Sequence, residues 1–554
     1  MLALALGSLT GVSFGASPWA KPGFDRWVRL SQSTRSMVVA RRGIVSTSQP
    51  LAAEAGVSTL RAGGNAFDAA IATAAVLNVV EPMSTGVGGD VFVLGHDAKS
   101  KTLFGLNGSG RSSRHATLEH YRRDGRTHIA SDHIDSVTVP GAVDAWYSLH
   151  QKYGRLEWKK VLAPAIYYAK EGFPVSEVIA DAWAITSAGN ENLPGFAENY
   201  LPNGRPPKLG EVFHQPALAE TLTAVANHGR DGFYRGKVGE KITAFFKKHG
   251  SLIDAKDLAD HTSTWVQPVK TTFMGYEFYE LPPNGQGIAA IEILNILEGF
   301  DLKSMGHNSA AYLHHLIEAK KLAWTDRDTF IADPEKANVP TETLISKEYA
   351  AKMREQIDPK KASKTMKSLL AEKGDTVYLS VVDGEGNACS FINSVFHAFG
   401  SGHVVNGTGI CLQNRGALFS LEADHLNVIA PSKRPFHTII PAMLTKNGKP
   451  IYCFGVMGGD MQPQGHVQVL LNILVFGMNV QEAGEAARFR HMERGVALEH
   501  GVMQEVRSKL EAMGHTLIDD PGSFGGYQGI WIDPETGVLY GGSDNRSDGA
   551  AIGF

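Results

Sequence analysis

The chain of 554 residues contains three cysteines, Cys389, Cys411 and Cys453. None has metal-site spacing, and three scattered thiols make no disulfide framework, so buried free thiols are expected. Long apolar runs are missing as well: no stretch reaches the roughly 18 residues of a membrane span. Neither sign of charge dominates. Lys plus Arg number 53 against 57 Asp plus Glu, a net −4, which leaves no footprint for nucleic acid or an acidic lipid surface. A His-Glu-x-x-His motif is absent. The adjacent His314 and His315 fall on different faces of a helix expected from Ala310 to Arg327, so they are not a paired metal site. No internal repeat is visible, and no cofactor is expected.

Glycine, by contrast, is abundant at 60 residues. Runs such as Gly86-Val87-Gly88-Gly89 favour tight turns and close backbone approach. Hydrophobic residues at 43% and charged residues at 20% are ordinary for a large packed core.

Residues 1–40 read as an N-terminal arm or leader. Met1 to Ala16 is apolar and rich in small residues, as a signal peptide is, but lacks a basic n-region. A cytoplasmic location is therefore expected ahead of a secreted or periplasmic one. From Gly43 a strand and a helix follow, then Arg61-Ala62-Gly63-Gly64-Asn65 as a break. Ala66 to Val80 is a helix apolar on nearly every side, which must lie between layers. Glu81 to Asp90 is a Gly-rich turn without the Lys-Ser/Thr of a phosphate loop, so a packing turn is the expectation.

Helices are expected near Ala142–Tyr153, Trp158–Glu171 and Val238–His249. Pro282-Pro283-Asn284-Gly285-Gln286-Gly287 loosely resembles a dinucleotide fingerprint. It carries two prolines at the strand end, and no acidic residue lies about 20 positions on. Residues 331–373 are polar and Lys-rich and read as an exposed connector. After it the pattern turns to strands: Phe436–Leu444, Ile451–Val456 and a last hairpin, with a helix from about Gly465 to Val475.

The connector leads into Gly374-Asp375-Thr376-Val377-Tyr378-Leu379-Ser380, which sets a threonine at the head of an alternating strand. A hydroxyl is a weak nucleophile at neutral pH and needs a base beside it. A freed α-amino group, with pKa near 8, can serve as that base within the same residue. Cleavage between Asp375 and Thr376 would create nucleophile and base together. Gly458-Gly459, between a strand and a helix, offers amides unobstructed by side chains to an oxyanion.

This stretch resembles the processing site of the γ-glutamyltranspeptidase family. Gly63-Gly64-Asn65-Ala66, Glu81-Pro82, Gly88-Gly89, Pro140-Gly141, Pro282 to Gly285, Lys433-Arg434-Pro435, Gly458-Gly459 and Ser543-Asp544 match in order. The resemblance implies an α+β fold, a four-layer αββα Ntn-hydrolase sandwich. It implies a proenzyme with a large fragment, 41–375, and a small one, 376–554, in one interlocked domain. The fragments would be a heterodimer, with further dimerisation open. Thr376 would form the acyl-enzyme, Ser394 would support its hydroxyl, and Gly458 and Gly459 would build the oxyanion hole.

The departures fall at substrate contacts. Ser109 occupies the place of the family's substrate-carboxylate arginine, with Arg111 two residues on. Phe396, Arg415 and Leu418 replace polar contacts to the glutamyl group, and His437-Thr438 replaces a pair of serines. An acidic partner for an ammonium is lost, and Arg415 is suited to a carboxylate. The sequence around Arg415 resembles the γ-glutamyltransferase-like branch that includes oxamate amidohydrolase. The expected activity is hydrolysis of a γ-glutamyl or related carboxy-acyl amide. A true transpeptidase, an unprocessed homologue and a nucleotide-binding enzyme are the alternatives.

Overall fold

The computed structural model describes residues 33–363, 375–520 and 524–554, with the backbone but not the side chain of Asp375. The apolar leader, residues 364–373 of the connector and Gly374 lie outside them. Two seven-stranded sheets dominate. In chain order their strands are β1 (Val38–Ala40), β2 (Gly43–Thr47), β3 (Asp90–Asp97), β4 (Thr102–Gly108), β5 (Thr264–Val266), β6 (Val269–Phe273) and β7 (Tyr276–Glu280). Next come β8 (Asp375–Asp383), β9 (Ala388–Phe396), β10 (Ala442–Lys446), β11 (Lys449–Val456), β12 (Tyr527–Ile532), β13 (Leu539–Ser543) and β14 (Ala550–Gly553). The first sheet runs β14-β2-β8-β9-β3-β4-β5 and the second β1-β13-β12-β11-β10-β7-β6. Every pairing within them is antiparallel.

Period-two alternation sorts the side chains of each strand between two cores. Phe92, Leu94, Tyr378 and Val382 of the first sheet meet Met443, Cys453 and Ile530 of the second. Val91, Val93, Val377, Leu379 and Val381 point the other way, into helices α1 (Pro50–Arg61) and α2 (Ala66–Val80). The second sheet turns Leu444, Tyr452 and Phe454 toward α3 (Gly287–Leu297), α4 (Ala310–Phe330) and α5 (Met461–Leu474). The result is helix, sheet, sheet, helix: the αββα sandwich implied by the resemblance.

All fifteen residues of α2 are buried, as its apolar circumference requires. Asn65 caps it with a capping box to Asp68. The helices at Ala142–Tyr153 and Trp158–Glu171 form as expected, and the third begins slightly earlier, at Gly236.

Three expectations are corrected. Strand structure does not begin at Phe436: β10 starts at Ala442, because residues 436–441 are drawn into the site below. The helix expected at Gly465 starts at Met461, directly behind the Gly458-Gly459 turn. The connector is not simply exposed, since Ile331, Asp333, Leu344, Ala350 and Met353 are buried and short helices form at Thr341–Leu344 and Lys347–Arg354. The Gly/Asp-rich end also gives an unforeseen strand, β14, on the edge of the first sheet. All three thiols are free and buried.

Candidate active site

Thr376 lies near the head of β8 and is almost fully buried. The register against β9 shifts beside it, from Asp375↔Phe396 to Val377↔Asn393, so that two β9 residues, Ser394 and Val395, face one. Such a bulge re-aims side chains at the end of a ladder. It brings Thr376 Oγ1 to 3.2 Å from Ser394 Oγ. Ser394 Oγ also accepts from the Phe396 N–H at 2.8 Å and from Arg415 Nη2 at 3.0 Å.

Phe396 ends the strand at φ 78°, in the left-handed region, although it is not glycine. A conformation of this kind costs about 1–3 kcal/mol and persists only where its surroundings hold it. Here the bend carries the Phe396 ring under the Arg415 guanidinium, 4.5 Å from its centroid. Arg415 is wholly buried. Its Nη1 donates to Thr438 Oγ1 at 2.7 Å, and its Nε has no hydrogen-bond partner among the described residues. Burial lowers its pKa to about 9, and Asp90 is the charge that offsets this.

Asp90, at the head of β3, pairs in register with Ser394. Its Oδ1 accepts from the Gly110 N–H at 3.0 Å, and its Oδ2 lies 3.1 Å from His437 Nε2. His437 Nδ1 accepts from the Ile439 N–H at 3.3 Å, which assigns the ring hydrogen to Nε2, donating to Asp90. Burial, with Arg415 and Arg434 nearby, holds His437 well below the ordinary imidazole range and therefore neutral. Burial pushes Asp90 up to about 7 against the opposing pull of Arg415.

The Gly458-Gly459 turn takes φ of 109° and 59°, values that favour glycine. Gly458 C=O accepts from the Met461 N–H at 3.0 Å. Because C=O and N–H of a trans peptide point in opposite directions, the Gly459 N–H is aimed away from α5. Gln286 Nε2 fixes the turn by donating to Gly459 C=O at 3.0 Å and Thr438 C=O at 2.6 Å. Arg327 backs this with contacts of 3.1 Å to Gln286 Oε1 and 2.9 Å to Asp460 Oδ1.

Facing strands then place the turn. Ser380 Oγ donates to Cys453 C=O at 3.0 Å, and the Tyr378 ring packs on Gly455. These contacts hold β8 face to face with β11, the strand that the Gly458-Gly459 turn follows.

The remaining expected residues separate. Thr438 and His437 join the cluster around Arg415. Leu418 packs with Phe396, Phe436 and Ile288 as an apolar wall. Ser109 is buried and accepts from Asn284 Nδ2 at 3.1 Å. Arg111 is drawn elsewhere: its Nη2 pairs with Glu335 at 3.0 Å, and the same carboxylate takes Arg434 at 3.2 Å. Asp90 and Gln286 were not foreseen. Their signals were the Gly-Gly-Asp turn and the Asn-Gly-Gln-Gly loop, both read as packing or rejected as nucleotide sites.

Among the described residues, His314, Glu318 and His515 lie close enough together to hold a metal ion. Their atoms are already engaged: His314 Nδ1 with His515 Nε2 at 2.8 Å, and Glu318 Oε1 with Lys321 Nζ at 2.8 Å. Glu318 Oε2 accepts from the Ser363 N–H at 3.0 Å, and Lys321 donates to Ser363 C=O at 2.9 Å. With an ammonium in the cation's place, the set acts as a clamp on the chain approaching residue 364.

The sequence profile described as gamma-glutamyltranspeptidase matches residues 52–554. The chain belongs to that family. It is 39% identical over 535 residues to a glutathione hydrolase-like YwrD proenzyme of Bacillus subtilis, covering 93% of this chain and 99% of the relative. An oxamate amidohydrolase proenzyme of Klebsiella pneumoniae is 34% identical over 530 residues, covering 93% and 99%. Among solved structures, a cephalosporin acylase from Bacillus halodurans superposes with a TM-score of 0.89 at 42% identity, covering 96% of this chain and 99% of that one. Membership in this gamma-glutamyltranspeptidase family makes the chain an Ntn-hydrolase acting on amide or acyl substrates. No helix among the described residues is long and apolar enough to cross a membrane.

Proposed function

We propose that the protein is an autoprocessing hydrolase of amides whose acyl group carries a carboxylate, with Thr376 as nucleophile. The carrying observation is the buried guanidinium of Arg415, which touches the hydroxyl partner of Thr376 and has no carboxylate within ion-pair distance among the described residues. A dry cation beside a reacting hydroxyl favours an anionic group on the substrate. Phe396 and Leu418 give the acyl chain an apolar wall and offer no acid to a glutamyl ammonium. The relative named as an oxamate amidohydrolase agrees with a carboxy-acyl class.

In the precursor, the Thr376 hydroxyl adds to the Asp375 carbonyl carbon, and the C–N bond breaks to leave an ester and a free α-amine. Water hydrolyses the ester. The α-amine then takes the hydroxyl proton as Thr376 attacks a substrate carbonyl, and it returns that proton to the leaving amine. The Gly459 N–H and its neighbours bear the oxyanion, and a second water releases the acid.

Purified wild type is expected to split into fragments of 375 and 554 − 375 = 179 residues. Thr376→Ala stays one chain and inactive. On processed enzyme, glutaryl and oxamate amides are expected to exceed γ-glutamyl anilide and glutathione in kcat/KM. A γ-glutamyl preference of about a hundredfold, roughly 3 kcal/mol, would overturn the acyl assignment.

A further inference from the structure

Arg415 poses a problem of charge. Its guanidinium and the Asp90 carboxylate are both fully buried: Asp90 is the register partner of Ser394, to which Arg415 donates, and its Oδ2 is bonded to the neutral His437. The other charged or titratable groups facing Asp90 do not compensate Arg415. Arg434 is paired to Glu335, and its amide bonds Asp333. Tyr234 donates to Pro140 C=O at 2.7 Å, and burial keeps its hydroxyl neutral. With the Thr376 α-amine in the unprotonated form in which it serves as base, the site therefore holds one cation and one anion. A substrate carboxylate arriving at Arg415 would leave two anions for one cation in a water-poor pocket, and a dry site expels such an excess by neutralising a group.

We infer that Asp90 is the internal counter-anion of Arg415, and that the Asp90–His437 pair takes up one proton when a substrate carboxylate binds. The inference rests on the carboxy-acyl reading above. Asp90 is thus a positioning and specificity residue. Ionised, it keeps the empty guanidinium charged and directed at Ser394 and Thr438; protonated, it yields that cation to the substrate. Its titration near 7 puts the exchange within the working range. Removing a donor to a carboxylate raises its pKa, so loss of the His437 Nε2–H moves the exchange to higher pH.

The test uses the processed enzyme with a glutaryl anilide and an uncharged butyryl anilide sharing one leaving group. For the glutaryl substrate, wild-type KM is expected to rise about tenfold per pH unit above 7, the slope of a single linked proton. The KM of the butyryl substrate stays flat. Asp90→Asn is expected to lose the rise in KM between pH 6.5 and 7.5, below the range in which Arg415 itself titrates, and to show at pH 7.5 a glutaryl KM about threefold below wild type. A merely structural role would worsen KM at every pH. Calorimetry of glutarate binding to wild type, in two buffers of different ionisation enthalpy, should register uptake of about one proton above pH 7. His437→Phe should move the KM midpoint upward, which keeps the test open if Asp90→Asn does not fold.

Three results would overturn the inference. A pH-independent glutaryl KM with no proton uptake refutes the counter-anion role alone. An unchanged pH profile in Asp90→Asn assigns the proton elsewhere. No preference for glutaryl over butyryl at pH 6.5 removes the carboxy-acyl reading and this inference with it.

Discussion

Ser394 shows how a single hydroxyl can set the state of the proposed nucleophile, Thr376. Its oxygen accepts from the Phe396 amide and from Arg415 while lying against Thr376. Ser394→Ala strands two buried donors, at a cost of about 1–3 kcal/mol, and removes the partner of Thr376. The expected result is a lowered denaturation midpoint together with a roughly 10- to 100-fold fall in cleavage rate and kcat. Ser394→Thr, which keeps the hydroxyl, should stay within a few-fold of wild type in both assays. Unchanged kcat in Ser394→Ala would mean that the contact is structural alone. Thr376 stood out in the sequence as a candidate because what it was proposed for is local: a hydroxyl at a strand head after a polar connector. Asp90 was not, because its importance comes from Arg415, more than three hundred positions away and brought near only by the pairing of β3 with β9.

At the scale of elements, the site depends on two sheets meeting at a fixed separation. Gly455 of β11 gives room to the Tyr378 ring of β8, and a Cβ there would come within 2.5 Å of that ring. Gly455→Val must therefore push the sheets apart two residues from Thr376. Overpacking of this kind costs about 1–3 kcal/mol, read as a lower urea midpoint. Cleavage of Asp375–Thr376 should slow in parallel, because Thr376 shifts relative to the Gly458-Gly459 turn. Normal processing with lowered stability would show that sheet spacing does not set the reaction geometry. Period-two alternation made strands such as β8 and β9 readable in advance. The stretch 436–441 misled because apolar Phe436, Ile439 and Ile440 suggest a strand, whereas the backbone there is tied to Asn284, Asn427 and Gln462 instead. Apolar content reports burial; it does not report which partner takes the backbone hydrogen bonds.

For the whole molecule, the order of strands says more than the fold class. In the first sheet β8 from Thr376 onward and β9, which follow the proposed cleavage point, lie between β2 and β3, which precede it, and β14 pairs with β2 on the outer edge. In the second, β10 to β13 are enclosed by β7 and β1. The inter-sheet core draws on both halves, with Ile44, Phe92 and Leu94 against Tyr378, Met443 and Cys453. The sequence resemblance implied one interlocked domain; the strand order supplies the physical reason, and no local pattern could reveal it. The proposed cut at Asp375–Thr376 falls at the head of β8 and leaves its pairing from Val377 onward with β9 and from Leu379 onward with β2 in place. The two fragments are therefore expected to co-elute in native gel filtration and to separate only where the fold itself is lost. In a urea series, dissociation of the fragments, tryptophan fluorescence and loss of activity should share one midpoint. The 376–554 segment expressed alone should fail to form a protease-resistant core, since both of its sheets would lack neighbours. Fragments that part at a urea concentration below the fluorescence transition would show that each half folds by itself, contrary to the interleaved topology.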